Sequence, residues 1–267
     1  MAIREIIVHT LGELLDRCTP AEPDPVTGRR RDTGVYRGAF DAARPLLTSL
    51  DRLGGVDPPH TKAGLEAPVL RNFRRYSRPY VATTLSDWEL LVAAQHHGAP
   101  TRLLDWSYSP LVAAHFATQS ARGDRAPRAV WRLDWQRVHA AFGFPGVALL
   151  TEDLERLFGG DGSEPFTPWR LFDAPSDAPD FACLVEPPSL DARITAQSAA
   201  FTLCSDKTRP FDAFLAAHDL DDALTRFVIP VAETPRIRDQ LDLVGFDERH
   251  LFPDLDGVAA MLQRYYG

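Results

Sequence analysis

The chain has 267 residues, 45% of them hydrophobic and 25% charged, the profile of a globular protein with enough apolar mass for one large core. A net charge of −8, from 37 acidic against 29 basic residues, argues against sequence-blind nucleic-acid binding over the whole surface, which needs a phosphate-neutralising exterior. Cys18, Cys183 and Cys204 lie far apart with no CxxC or histidine spacing, which excludes a structural zinc site and fits a reducing compartment.

In chain order, the opening MAIREIIVHT carries Glu5 where a leader would need an unbroken apolar stretch, so the expected location is the cytoplasm. Leu11, Leu14 and Leu15 follow at helical spacing. Prolines fall in loop-like segments such as AEPDPVTG, VDPPH and DAPSDAPD. VYRGAF reads as a strand ending at Gly38, and the stretch from Pro45 to the Gly54-Gly55 pair as a short helix. Leu65, Val69, Leu70 and Phe73 predict a helix over 65–76 with Arg71, Arg74 and Arg75 on its wetter side; Arg78 extends this basic cluster. SDWELLVAAQHHG predicts another, with Ser86 and Glu89 as a capping box and Gly98 as the stop. TRLLDW should be extended, and SPLVAAHFATQSA a helix with Ser109 as N-cap and Pro110 at its first position. RAVWRLDW, FACLVEPP, ARITAQSAAFTLC and TRFVIPV read as strands. EDLERLF, RPFDAFLAAH, IRDQLDLVG and GVAAMLQRYY read as helices. Strands and helices interleave without a composition break, which predicts one α+β domain over 1–267 with a mixed sheet.

Several groups are able to carry chemistry. Arg37 stands between Tyr36 and Gly38, a guanidinium beside a residue with no side chain, suited to a pyrophosphate or carboxylate. It could equally brace the fold by pairing with Glu66 or Asp105. His96 and His97 fall in the last helical turn, where one can act as a C-terminal cap while the other points toward the following loop as an acid, a base or a donor to a hydroxyl. In an extended TRLLDW, Thr101, Leu103 and Asp105 share one face, while Arg102, Leu104 and Trp106 share the other. Asp105, amid apolar neighbours, requires a partner, and Arg37 is the expected one. Ser107 and Ser109 precede a helix whose free N–H groups favour anions. Arg193, Gln197 and Phe201, four residues apart, share a face of their predicted strand, either as an exposed edge or as a second pocket wall on which Phe201 stacks a planar ring.

VYRG, TSLDRLGG, LEAPVLRNF, AQHHGAPTRLLDWSYSPLVAAHFA, ARITAQSAAFT and GFDERHLFPDLDGVAAML together resemble the FRG-domain family, which takes its name from an aromatic-Arg-Gly motif. The resemblance runs over 36–262, with residues 1–34 expected to pack against that region. Ala199 departs from it where the family carries glycine. A second similarity is to the ADP-ribosyltransferase layout, which implies a mainly antiparallel central sheet flanked by helices and NAD as substrate. Arg37 would hold its phosphates, Ser107 and Ser109 would stand at the serine motif, and Gln197 would occupy the region of the transferase glutamate. On that layout Arg37, His97, Asp105 and Gln197 are the candidate catalytic residues. Tyr36, Gly38, His96, Thr101, Arg102, Ser107, Ser109, Arg193 and Phe201 would surround the cofactor; no metal is expected. The resemblance implies an effector of toxin or antiphage type, acting on a protein or nucleic acid, with a neutralising or defence-system partner. Two other readings stand beside it: a non-catalytic module sensing a nucleotide or a partner, and a metal-independent nuclease with His96 and His97 as acid and base.

Overall fold

The computed structural model joins eight strands in one sheet, six of them in segments whose alternation and β-branched or aromatic content marked them and two, the first and the fifth, unmarked. It describes residues 3–54, 61–80, 85–119, 125–158, 165–175, 177–189 and 192–266. Gly55, the VDPPH loop, Ser120, Ala121 and Ser176 of the readings above lie outside these residues. The strands are β1 (Arg4–Ile7), β2 (Val35–Ala39), β3 (Leu104–Ser107), β4 (Arg128–Leu133), β5 (Leu149–Leu150), β6 (Ala182–Glu186), β7 (Ala199–Cys204) and β8 (Leu224–Ile229). Their order is β1-β8-β4-β2-β3-β7-β6-β5. The two outermost pairs, β1 with β8 and β5 with β6, are parallel and the rest antiparallel. The fold is therefore α+β with a mixed sheet flanked by helices.

The middle of the sheet is its weakest seam. On one edge β2 pairs with β4 through all five of its residues, and β3 pairs with β7 through all four. Between β2 and β3 the only register is Tyr36 opposite Ser107. Two four-stranded halves thus meet at one rung and then diverge.

Helix ends follow local chemistry. In α3 (Asp87–His96) Ser86 Oγ accepts from Glu89 N at 3.2 Å while Ser86 N donates to Glu89 Oε2 at 2.7 Å, closing the capping box. Gly98 follows with φ +78°, a left-handed conformation that suits glycine. Pro110 opens α4 (Pro110–Thr118), capped by Ser109. α1 (Leu11–Cys18) and α2 (Lys62–Ser77) complete the helices of the first half.

Two readings of the sequence are corrected. No helix forms between Pro45 and Gly54: the backbone bonds outward instead, Leu46 N to Asp212 Oδ1, Leu46 O to Phe211 N and Leu50 N to Thr101 O. Nor is ARITAQSAAFTLC one strand. Ala192–Ala196 is a helix, Gln197 N donates to Arg193 O at 2.9 Å, and Ser198 at φ +46° turns the chain into β7. A spacing of four keeps two residues on one side of a helix as well as of a strand, so periodicity could not separate the two.

Two buried histidines tie elements together in their neutral form, His139 a helix to the sheet and His115 α4 to the helix Thr234–Leu243. His139 Nδ1–H donates to Pro145 O, leaving Nε2 to accept from Leu184 N at 2.7 Å. His115 Nδ1 accepts from Arg238, which can only donate. Burial pushes both pKa values down, that of His115 to about 4 with Arg238 adding repulsion. The unfolded chain takes up protons near pH 6.5 while the folded chain does not, so stability must fall as pH drops through that value. Denaturant titrations at pH 7 and pH 4.5 should show a loss on the order of 2–3 kcal/mol, much of it absent in a His115→Gln variant.

Among the described residues no helix is long and apolar enough to cross a membrane.

Candidate functional site

Where β2 and β3 diverge, a cleft of about 610 Å³ opens. Arg37 spans its floor: Nη1 donates to the main-chain oxygen of Asp105 at 2.7 Å and lies 3.4 Å from Asp105 Oδ2. Burial pushes the Arg37 pKa down, and the nearby Asp105 carboxylate partly restores it; the group stays a cation. The expected Arg37–Asp105 pairing is thus present, and Glu66 is engaged elsewhere.

Asp105 is unusual for a residue on a central strand. Its side chain is 52% exposed. It is nevertheless held: Gln95 Nε2 donates to Asp105 Oδ1 at 2.8 Å. Gln95 is itself oriented, since its Oε1 accepts from Thr101 Oγ1 and from Ser49 Oγ. Thr101 and Asp105 therefore meet through the Gln95 amide, and the extended stretch expected from Thr101 begins only at Leu104, because the chain bends at Arg102. The braced carboxylate looks into a basic enclosure. Arg44, Arg52, Arg193 and His96 line the cleft with Arg37, against Asp41 and Asp105, and Arg44 lies 3.6 Å from Asp41. In a chain of net charge −8 this is a local reversal of sign, able to attract an anion.

The structure brings Tyr36, Arg37, Gly38, His96, Asp105, Ser107, Arg193, Gln197 and Phe201 to this cleft. Several of them already have structural work. The Tyr36 hydroxyl donates to Asp32, which Arg132 also clamps. Ser107 Oγ donates to Gln197 O at 2.7 Å and accepts from Ser109 N. Gln197 Nε2 donates to Leu251 O at 3.2 Å. Arg193 lies over the Phe252 ring, 4.6 Å from its centroid, and its buried Nε has no hydrogen-bond partner among the described residues.

His97, Thr101, Arg102 and Ser109 do not line the cleft. His97 occupies the C-cap of α3 and is exposed, so of the two imidazoles only His96 faces the cavity. Thr101 acts on it through Gln95. Ser109 caps α4. Arg102, at the bend before β3, is 3% exposed and pairs with Glu66 of α2, Nε to Oε1 at 2.8 Å; it is a core pillar and not a ligand group.

Gln95, Arg44 and Arg52 escaped the sequence reading. A glutamine ending the buried run of α3 was a usable signal, since a buried amide demands partners. Arg52 was hidden by the false helix over 45–54, and Arg44 lies just before it, where no pattern marked it.

Comparison with known proteins returns one family. No curated protein and no solved structure matches the chain. A family model described as the FRG domain matches residues 32–126, from the approach to β2 through α4. The Tyr-Arg-Gly strand, the Gln95–Asp105 brace and the α4 wall all fall inside that match, and it is the FRG-domain family that it supports for this chain.

Proposed function

We propose that the chain is an ADP-ribosyltransferase-like enzyme that binds NAD in the β2–β3 cleft and transfers its ADP-ribosyl group to a macromolecular acceptor, in keeping with an effector of toxin or defence type. The observation that carries this reading is the exposed Asp105 carboxylate, fixed by Gln95 and Arg37 in a cleft whose arginines outnumber its carboxylates. Arginines suit a diphosphate, and a cavity of about 610 Å³ is of small-ligand size.

Breaking the ribose–nicotinamide bond leaves both bonding electrons on the ring nitrogen and a developing cation on the ribose carbon. A fixed anion close to that carbon stabilises it, because the carboxylate needs no reorganisation as charge appears. An acceptor oxygen or nitrogen then forms the new bond and gives up its proton. Gln197 stands in the region of the transferase glutamate but is neutral and tied to Leu251 O. Asp105 supplies the charge instead, and Glu186, bonded by the Tyr108 hydroxyl, does not line the cleft. His96 is placed to donate to a ribose hydroxyl. Acid–base cleavage by two histidines is disfavoured, since His97 faces away.

NAD labelled in the adenine half, incubated with the protein and a lysate, should yield labelled macromolecules and free nicotinamide. Asp105→Asn should lower nicotinamide release about 100-fold while NAD binding changes by a few-fold at most. Absence of NAD binding by calorimetry would overturn the reading. Binding without release would leave a nucleotide-sensing module.

A further inference from the structure

On the outer side of α2, Arg71, Arg74, Arg75 and Arg78 recur at spacings that place all four on one helix face, and all are exposed. Only Arg74 has an acidic partner, Asp87, among the described residues. Aromatic side chains are interleaved with them. Tyr76 is 66% exposed beneath Arg75, whose guanidinium lies 5.2 Å from the ring centroid, and Tyr80 is 87% exposed. Beside this face lies a groove of about 330 Å³ lined by Ala67, Pro68, Arg71, Asn72, Arg75 and Trp169. Trp169 is held rigidly: its Nε1 donates to Asp87 Oδ2 at 2.6 Å and Arg74 covers its ring at 5.4 Å.

We infer that this face is a docking surface for single-stranded nucleic acid, with phosphates on the arginines and bases on Tyr76, Tyr80 and the edge of the Trp169 groove. Three of the four cations lack a carboxylate among the described residues, in a protein whose excess charge is negative, so the patch is complementary to a polyanion and not to the chain itself. The aromatics decide which polyanion. An acidic peptide gains little from indole and phenol rings, whereas every base presents a face that stacks on them. Asn72 adds an amide that can both donate to and accept from a base edge. The surface is distinct from the cleft, and the inference holds whether or not the cleft takes NAD.

Fluorescence anisotropy of a labelled oligo(dT) and oligo(U) with the full chain tests it, with a duplex of equal length and a polyglutamate peptide as competitors. Single strands should bind, with log affinity falling against log salt at a slope of about −3 for four phosphate contacts. Arg71→Glu with Arg75→Glu should weaken binding about tenfold or more and flatten that slope, and Tyr76→Ala should weaken it about fivefold or more. Melting temperature should be unchanged in both, the residues being exposed, and Asp105→Asn should bind like the parent. No binding at low salt, binding indifferent to the arginine pair, or equal competition by polyglutamate would overturn the inference.

Discussion

Replacing Arg102 by alanine should destabilise the protein by about 3–5 kcal/mol, enough to remove a large part of a typical domain's stability. Arg102 and Glu66 are 3% and 1% exposed, and every nitrogen of the guanidinium donates. Nε serves both carboxylate oxygens, Nη2 also donates to Oε2, and Nη1 donates to the carbonyls of Cys204 and Ser205 at 3.3 and 3.2 Å. Removing it strands a carboxylate in a dry site together with two carbonyls that then lack their donor. The same pair exchanged jointly, Arg102→Met with Glu66→Gln, should recover much of the loss, because the cost lies in the orphaned charge more than in the missing attraction. Urea titrations of the three variants check this. A loss under 1 kcal/mol in Arg102→Ala would show that the arginine is dispensable to the core.

Gly38→Ala should cost about 3 kcal/mol or more, at the upper end of overpacking. A Cβ at this position would sit 2.2 Å from the carbonyl oxygen of Ala113 and 2.5 Å from the nitrogen of Ala117, both backbone atoms of α4 or its last turn. Backbone cannot rotate aside as a side chain can, so α4 must move off β2. The helix shows a small-residue face to the strand, with Ala113, Ala114 and Ala117 all buried there. Its displacement would also shift Phe116 and Gln119, which line the cleft. Thermal unfolding should therefore show a fall of roughly 6–12 °C, accompanied by weaker ligand binding. The close approach permitted by this glycine is that of a helix backbone, and the wall it sets in place is the one the site needs.

Both results bear on how far the amino-acid order can be read. The capping box at Ser86 and Glu89, the Ser109-Pro110 helix start and the Gly98 stop were legible because each is a hydrogen bond or a dihedral confined to a few neighbouring residues. The alternation expected over 101–106 could apply only from Leu104 onward, because the chain bends at Arg102 before the strand begins. Partners were harder. Arg37 and Arg102 are both guanidiniums next to core segments, and nothing local distinguishes the one that meets a solvent-facing carboxylate from the one that meets a buried one.

What the sequence determined by itself, then, is where the capped helices α3 and α4 begin and where α3 stops, since caps depend on contacts within about one turn. The tertiary structure alone decided that β2 and β3 join at one rung, that the chain over 45–54 trades its own helix for bonds to Thr101, Phe211 and Asp212, and that Gln95 braces Asp105. Each of those depends on a partner brought across the sheet by the packing of the whole chain, and the free energy of such a contact is not encoded near either of its ends.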